Sequence, residues 1–346
     1  MDRNCSMMDE DVTARSHFSE LVRYSRPMLT AAGVITLIIM VIGVVGNSLT
    51  VVALIRNAKI RTVAAAFIAS LCISDLLFCF LVVPFAASQF FHGTWIHGQV
   101  LCSMIPMLRY GSVGVSLLSI VIISINRYIL IAWPSLYPSI FTKTKVTIYI
   151  IGIWAFSYGI QIPTLFGVWG TFGLDEKLGT CSIKEDENCR NPKNLLFFYG
   201  FATPCIVIII CYAKIFWVVH QSHKRMAEHT SSTNYKRSEM HITKMVLVIF
   251  ICFVVCYLPL ALVKLLDSQV THPPLHVLGY ILLYSASCVN PVVYVTMNKQ
   301  YRQAYLNTIR CDFINNIESY NTQPQNSRTH LSVNYLKNMV IKSPKA

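Results

Sequence analysis

Seven stretches of the chain, 28–55, 62–91, 98–126, 146–174, 194–213, 245–263 and 268–298, are almost wholly apolar. Each is long enough to cross a hydrocarbon core as a helix, which takes about 20 residues. Short polar connections separate them, and the longer ones are 175–193 and 214–244. The pattern predicts an all-α integral membrane bundle over 28–298, preceded by an N-terminal tail, 1–27. After the seventh run, "NKQYRQAYLNTIRC" repeats Tyr301, Tyr305 and Ile309 every four residues, with Lys299, Arg302 and Arg310 around them. That spacing predicts a short amphipathic helix, 299–311, lying on the inner leaflet. Residues 312–346 are polar, and their composition predicts a disordered cytoplasmic tail.

Composition fits this reading. Of 346 residues 54% are hydrophobic and 13% charged, against roughly 25% charged in soluble domains. Two runs contain an ionisable group well inside, Asp75 and Arg109. Because a charge in a bilayer is costly, each is a candidate functional residue. A net charge of +13 raises the question of nucleic acid, but the distribution points to membrane orientation instead. Arg56, Lys59, Arg61, Lys143, Lys145, Lys224, Arg225, Lys236 and Arg237 fall on one side, while the connection 92–97 has no Lys or Arg and 175–193 balances four basic residues against five acids. By the positive-inside rule the C-terminus is cytoplasmic and the N-terminus extracellular. Residues 1–27 lack the apolar core of a signal peptide, so the first span is expected to direct insertion.

Most of the twelve cysteines lie in the runs, where a small buried apolar side chain is the ordinary role. Cys5, Cys181 and Cys189, with Cys102 at the outer end of the third run, lie outside the membrane, in an oxidising compartment where disulfides are expected. Asn4-Cys5-Ser6 matches a glycosylation sequon. Cys311, beside the membrane, is either palmitoylated or an unmodified thiol.

Polar landmarks recur at one per run. In order they are Gly46-Asn47, "SLCISDLLF" with Asp75, Cys102 and then Asn126-Arg127-Tyr128, Trp154, Pro204 with Tyr212, "FVVCYLP" ending at Pro259, and "NPVVY" from Asn290 to Tyr294. Together they resemble the rhodopsin-like (class A) G-protein-coupled receptors over about 28–311. Within these, "SLCISDLLFC", "INRYILIA", "GLDE" at 173–176 and "NPVVY" are similar to the invertebrate trapped-in-endoderm and moody receptors. Melatonin receptors share the Asn-Arg-Tyr form but have alanine where this chain has Pro291. The resemblance implies a plasma-membrane receptor without enzyme activity. It also implies coupling to a heterotrimeric G protein, regulation by arrestin and a receptor kinase, and roles in directed migration or epithelial polarity.

The resemblance implies a disulfide between Cys102 and Cys181, the latter 23 residues before Pro204. That leaves Cys5 and Cys189, either as a second bridge or as two free thiols. It also implies a ligand cavity open to the outside. Arg109 lies 18 residues, or five turns, before Arg127, where amine receptors carry an aspartate. A cation there disfavours an ammonium ligand. With Lys264, Tyr110, Tyr280 and Tyr284 it suggests an anionic one such as a lipid carboxylate or phosphate. The alternative is an Arg109 held internally by Tyr284 or Asp267.

Asn47, Asp75, Ser116, Ser287 and Asn290 correspond to the family's sodium-linked network, here either a sodium site or a hydrated cluster around a neutral Asp75. No other cofactor is expected. Asn126 replaces the acid that usually precedes the motif's arginine, so Glu239, 20 residues before Pro259, is the expected partner of Arg127. Separation of that pair would let Arg127, Tyr212 and Tyr294 form the G-protein pocket. Phe253, Tyr257 and Pro259 form the expected hinge, with tyrosine at 257 where the family usually has tryptophan.

Other seven-span proteins fit less well. A retinal protein needs a lysine in the last run, and 268–298 has none. A zinc hydrolase needs converging ligands, whereas His220, His223, His272 and His276 are expected at the surface at the ends of runs. Neither repeats nor broken helices of a transporter are visible. The remaining alternative is a receptor-shaped adhesion or constitutively signalling protein with no diffusible ligand.

Overall fold

In the computed structural model the described residues are 25–175, 179–186, 192–225, 233–267 and 270–309. Seven segments among them are helical, long and apolar enough to cross a membrane. The first is α1 (Arg26–Arg56), followed by one 3-10 turn at Ala58–Ile60. Span two is α2 (Val63–Leu81) and α3 (Val83–His92), joined at Val82 where Pro84 interrupts the amide ladder. Span three is α4 (Gly98–Ala132), leading to the single turn α5 (Tyr137–Ile140). Span four is α6 (Lys143–Gly159) with the turn α7 (Ile162–Leu165). After the antiparallel hairpin β1 (Thr171–Asp175) and β2 (Thr180–Lys184), span five comprises α8 (Lys193–Phe197), a π-helical turn at Phe198–Ala202 and α9 (Thr203–Arg225). Spans six and seven are α10 (Thr233–Leu266) and α11 (Pro273–Met297), and α12 (Lys299–Ile309) follows.

Runs of this length satisfy their own backbone N–H and C=O groups in hydrocarbon by forming helix, since a segment there finds no water to bond. The ends are closed locally. Thr62 and Thr142 cap α2 and α6, accepting from Ala65 N at 3.2 Å and Lys145 N at 3.3 Å. Arg61 donates to the last carbonyls of α1, those of Leu54 and Ile55. Gly93, at φ +74°, ends α3 in the left-handed conformation. Helices approach closely where glycine faces a neighbour. A Cβ on Gly111 would stand 2.4 Å from the Tyr158 ring, and one on Gly46 would stand 2.9 Å from Pro291.

Three boundaries differ from the sequence expectation. The fourth apolar run stops being helix at Leu165, because Gly167 and Gly170 take positive φ and turn the chain into β1, so 171–174 are strand rather than span. Helices α9 and α10 continue beyond their apolar runs to Arg225 and back to Thr233. In α12, Tyr301 and Tyr305 are buried against the bundle, and Ile309 of that stripe is exposed. The hydroxyls of Tyr305 and Thr50 are 2.5 Å apart, so docking to α1 sets the helix's rotation.

Candidate functional site

The outer half of the bundle gathers cations around one ring. Arg109, on α4, is 2% exposed, and its Cζ lies 5.7 Å from the centroid of Tyr280 on α11. Lys264 Nζ, on α10, lies 5.2 Å from the same centroid. Arg109 Nη1 donates to the backbone carbonyl of Cys181 at 3.4 Å, while the buried Nε has no hydrogen-bond partner. Cys181 is in β2 and is bonded to Cys102 on the first turns of α4, which fixes the hairpin over the bundle. Tyr110 and Ser182 hydroxyls are 3.3 Å apart, and Tyr284 packs against Tyr280 and Phe78 with ring centroids 6.1 Å away in both cases. Thus the five residues Arg109, Tyr110, Lys264, Tyr280 and Tyr284 come together, roofed by a strand that composition alone did not reveal.

Asp267 is not the partner of Arg109. At the outer end of α10 its carboxylate accepts from Thr271 Oγ1 at 2.6 Å, Thr271 N at 2.7 Å, His272 N at 2.8 Å and His276 Nε2 at 3.2 Å. These donors, the Thr271 hydroxyl first, hold the Asp267 carboxyl well below the usual range. His276 is therefore not a surface histidine. At 2% exposure it is buried under the turn it ties together.

Midway through the bundle, Asp75 Oδ1 accepts from Ser116 Oγ at 3.2 Å and Oδ2 from Asn290 Nδ2 at 2.8 Å. Asn47 instead donates to the Gly43 and Ser287 carbonyls, both at 2.8 Å, leaving its buried Oδ1 without a partner. Ser287 spends its hydroxyl proton on the Tyr284 carbonyl at 2.9 Å and accepts from Cys79 Sγ at 3.4 Å. The oxygens of Asp75 and Ser116 fit a small hard cation; the Ser287 hydroxyl is committed elsewhere. Trp154, the landmark of span four, donates to Ser70 Oγ at 3.0 Å.

At the inner end, Asn126 is fully buried and its Nδ2 donates to the Tyr137 hydroxyl of α5 at 3.1 Å. Arg127 is buried beside it, and Tyr128 OH accepts from Trp133 Nε1 at 3.4 Å. Tyr212 OH on α9 donates to the Thr243 carbonyl on α10 at 3.0 Å. Tyr294 is buried against Tyr301 of α12, with ring centroids 5.3 Å apart. Glu239 belongs to α10, but its side chain is outside those described, as are Asn4, Cys5, Cys189 and Cys311. Higher in α10, Phe253 and Tyr257, one turn apart and just before Pro259, have ring centroids 4.1 Å apart, and Phe253 stacks on Phe201 at the π turn of span five. Pro291 sits in α11 against Gly46.

The partners that sequence reasoning missed are the Cys181 carbonyl, Ser182, Tyr137, Ser70 and the Asp267–His276 pair. Only the last had a signal, an acid and a histidine nine residues apart across a turn.

Comparison with known proteins gives a consistent result. The model of the 7 transmembrane receptor (rhodopsin family) matches residues 46–294. The G-protein coupled receptor moody of Drosophila melanogaster is 45% identical over 83% of this chain and 52% of that protein. Protein trapped in endoderm-1 of the same fly is 36% identical over 86% of this chain and 81% of that protein. Among solved structures, squid rhodopsin matches with TM-score 0.74 and 24% identity, over 92% of this chain and 93% of the other. The chain spans about half the length of the moody receptors it matches.

Proposed function

The chain belongs to the rhodopsin family of seven-transmembrane receptors, multi-pass membrane proteins that are not enzymes, and from that premise we propose that it converts binding of an extracellular anionic small molecule into activation of a heterotrimeric G protein. The observation that carries the ligand class is the sharing of one Tyr280 ring by Arg109 and Lys264. Among the described residues no carboxylate lies within ion-pair distance of either cation. Two like charges held together away from water repel, and an anion between them relieves both the repulsion and the desolvation. A carboxylate or phosphate suits the fork of Arg109, whose Nε has no hydrogen-bond partner. The apolar rings of Tyr110, Tyr280 and Tyr284 suit an aliphatic tail, so an anionic lipid is the preferred candidate.

The same reading assigns roles further in. The N-terminus is extracellular and the C-terminus cytoplasmic, by the distribution of Lys and Arg. Asp75 and Ser116 would hold a sodium ion, contributing a charge-bearing oxygen and a hydroxyl oxygen in the middle of the bundle. The inner ends of α4, α9, α10 and α11, with Arg127, Tyr212, Glu239 and Tyr294, form the surface for the G protein, and for arrestin and a receptor kinase in turn. Asn126 keeps α5 against α4 instead of pairing with Arg127, and Glu239 supplies the opposing charge in the resting state. A role in cell migration or epithelial polarity is carried over from the resemblance to the fly receptors.

The ligand class is tested by measuring binding of acyl carboxylates, lysophosphatidates and matched neutral lipids to the full chain in nanodiscs. Anionic members are expected to bind, and Arg109→Ala to weaken them by about 1.5–3 kcal/mol, the usual worth of a hydrogen bond to a charged group. Equal binding of neutral and anionic members would remove the proposal.

A further inference from the structure

A cavity of about 820 Å³ lies beside the Arg109 cluster and shares none of its five residues. It opens between the first turns of α4, the end of α7 and the hairpin, and its walls include Trp95, Gln99, Cys102, Phe166, Phe172 and Lys184. Trp95 is fixed by donation of its Nε1 to the Gly98 carbonyl at 2.7 Å, so its polar atom is committed and the ring serves as apolar wall. Lys184 is exposed at the end of β2, and no acid lines the cavity among the described residues. Val100 and Met104 on α4, with Phe166 beyond α7, form an exposed apolar rim next to the opening. At the end of membrane helices such a rim sits at the level where hydrocarbon gives way to headgroups, and a tryptophan beside it is placed as in an aromatic belt.

We propose that this cavity takes a single-chain anionic amphiphile delivered from the outer leaflet, its acyl chain against Phe166 and Phe172 and its acidic head at Lys184 and Gln99. The size suits one such molecule, and Lys184, the one cation of a lining that is otherwise uncharged among the described residues, with Gln99 and Thr171 as its other polar side chains, sets both the sign of the head and its end of the cavity. A further consequence rests on the receptor reading above. Cys102 lines this cavity, and the cysteine bonded to it, Cys181, presents its carbonyl to Arg109. The disulfide is therefore a wall common to both places, and an occupant pressing on β1 and the bridge bears on the position of the Arg109 guanidinium. The cavity is thus a modulatory site for the ligand response.

The test uses the full chain in phosphatidylcholine nanodiscs and a lysophosphatidate carrying a photoreactive diazirine in its acyl chain, with lysophosphatidylcholine of the same chain as control. Mapped by mass spectrometry, the lysophosphatidate label is expected within 95–104 and 165–173. Lys184→Glu should reduce that labelling about tenfold, as expected for reversing the charge that meets the head. Gly173→Leu should also reduce it by filling the space. Gly173 lies in a strand without positive φ, and an added Cβ would be 3.4 Å from Lys184 Cδ, an ordinary contact. Should Gly173→Leu fail to fold, the exposed Lys184→Glu decides alone. Labelling of Lys184→Glu at the parent level, or equal labelling by lysophosphatidylcholine, overturns the proposal. Label lost in Arg109→Ala but kept in Lys184→Glu puts the lipid in the central cluster and overturns it too. Displacement by an acidic peptide but not by excess lysophosphatidate assigns the cavity to a peptide. If the label maps as expected while Arg109→Ala leaves every anionic response intact, the cavity proposal stands and the central-ligand reading falls.

Discussion

Asn126 Nδ2 donates to the hydroxyl of Tyr137 at 3.1 Å, across the turn that joins spans three and four. An amide is suited to this contact because it gives a hydrogen without bringing a charge next to Arg127. The residue that departs from the usual acid therefore has a structural task, steadying α5 at the proposed G-protein surface. Asn126→Ala and Tyr137→Phe are expected each to destabilise the receptor by about 1 kcal/mol and to be strongly non-additive, because they remove one bond. Thermal unfolding of the two single variants and the double variant in detergent measures this; full additivity would show that the bond carries no energy.

The mid-membrane carboxylate should report sodium. Asp75→Asn keeps acceptor and donor atoms for Ser116 and Asn290 but removes the charge a cation needs. Ligand affinity of the parent is expected to change between sodium and potassium chloride at equal ionic strength, and that of Asp75→Asn to be indifferent. A parent receptor equally indifferent would return this cluster to a purely hydrogen-bonded role.

Much of this was legible beforehand, and the reasons are physical. Hydrocarbon imposes long apolar runs, so the spans were visible as composition, and Asp75 and Arg109 stood out because each breaks such a run at a cost. What the sequence hid were contacts made by backbone atoms or across turns. The Cys181 carbonyl has no side-chain signature, and nothing in "SINRY" points to a tyrosine eleven residues on. His276 is hidden for a related reason. Its position near the end of an apolar run suggests solvent, but Asp267 folds the turn back over it. The end of the fourth span is hidden because Phe172 and Leu174 prolong the apolar run into β1, and the turn between is marked by Gly167 and Gly170.

The turn held by Asp267 should withstand mild acid. Its carboxyl is held below its ordinary value, so its contribution is complete above the unfolded pKa of about 4 and is lost only as pH falls through the lower folded value. The melting-temperature difference between parent and Asp267→Asn is therefore expected to stay constant between about pH 5.5 and 8. A difference that shrinks steadily from pH 8 to 5.5 would contradict the assignment.

Docking of α12 depends on the pairing of Tyr305 and Thr50 hydroxyls. Tyr305→Phe leaves Thr50 Oγ1 its bond to the Gly46 carbonyl at 2.8 Å, so the expected loss is modest, about 1 kcal/mol. Local loosening of 299–309 should appear as faster hydrogen exchange there and unchanged exchange in α2. Uniform acceleration throughout the bundle would mean that the pair supports the whole fold rather than this helix.

The central claim is that anion capture at Arg109 is linked to events at the inner end of the bundle. The direct measurement is nucleotide exchange on a purified heterotrimer by the full chain in nanodiscs, titrated with an anionic lipid selected by binding. The account predicts exchange that rises with lipid in the parent, requires far more lipid in Arg109→Ala, and is raised without lipid in Glu239→Ala. Exchange that responds to lipid identically in parent and Arg109→Ala would contradict it.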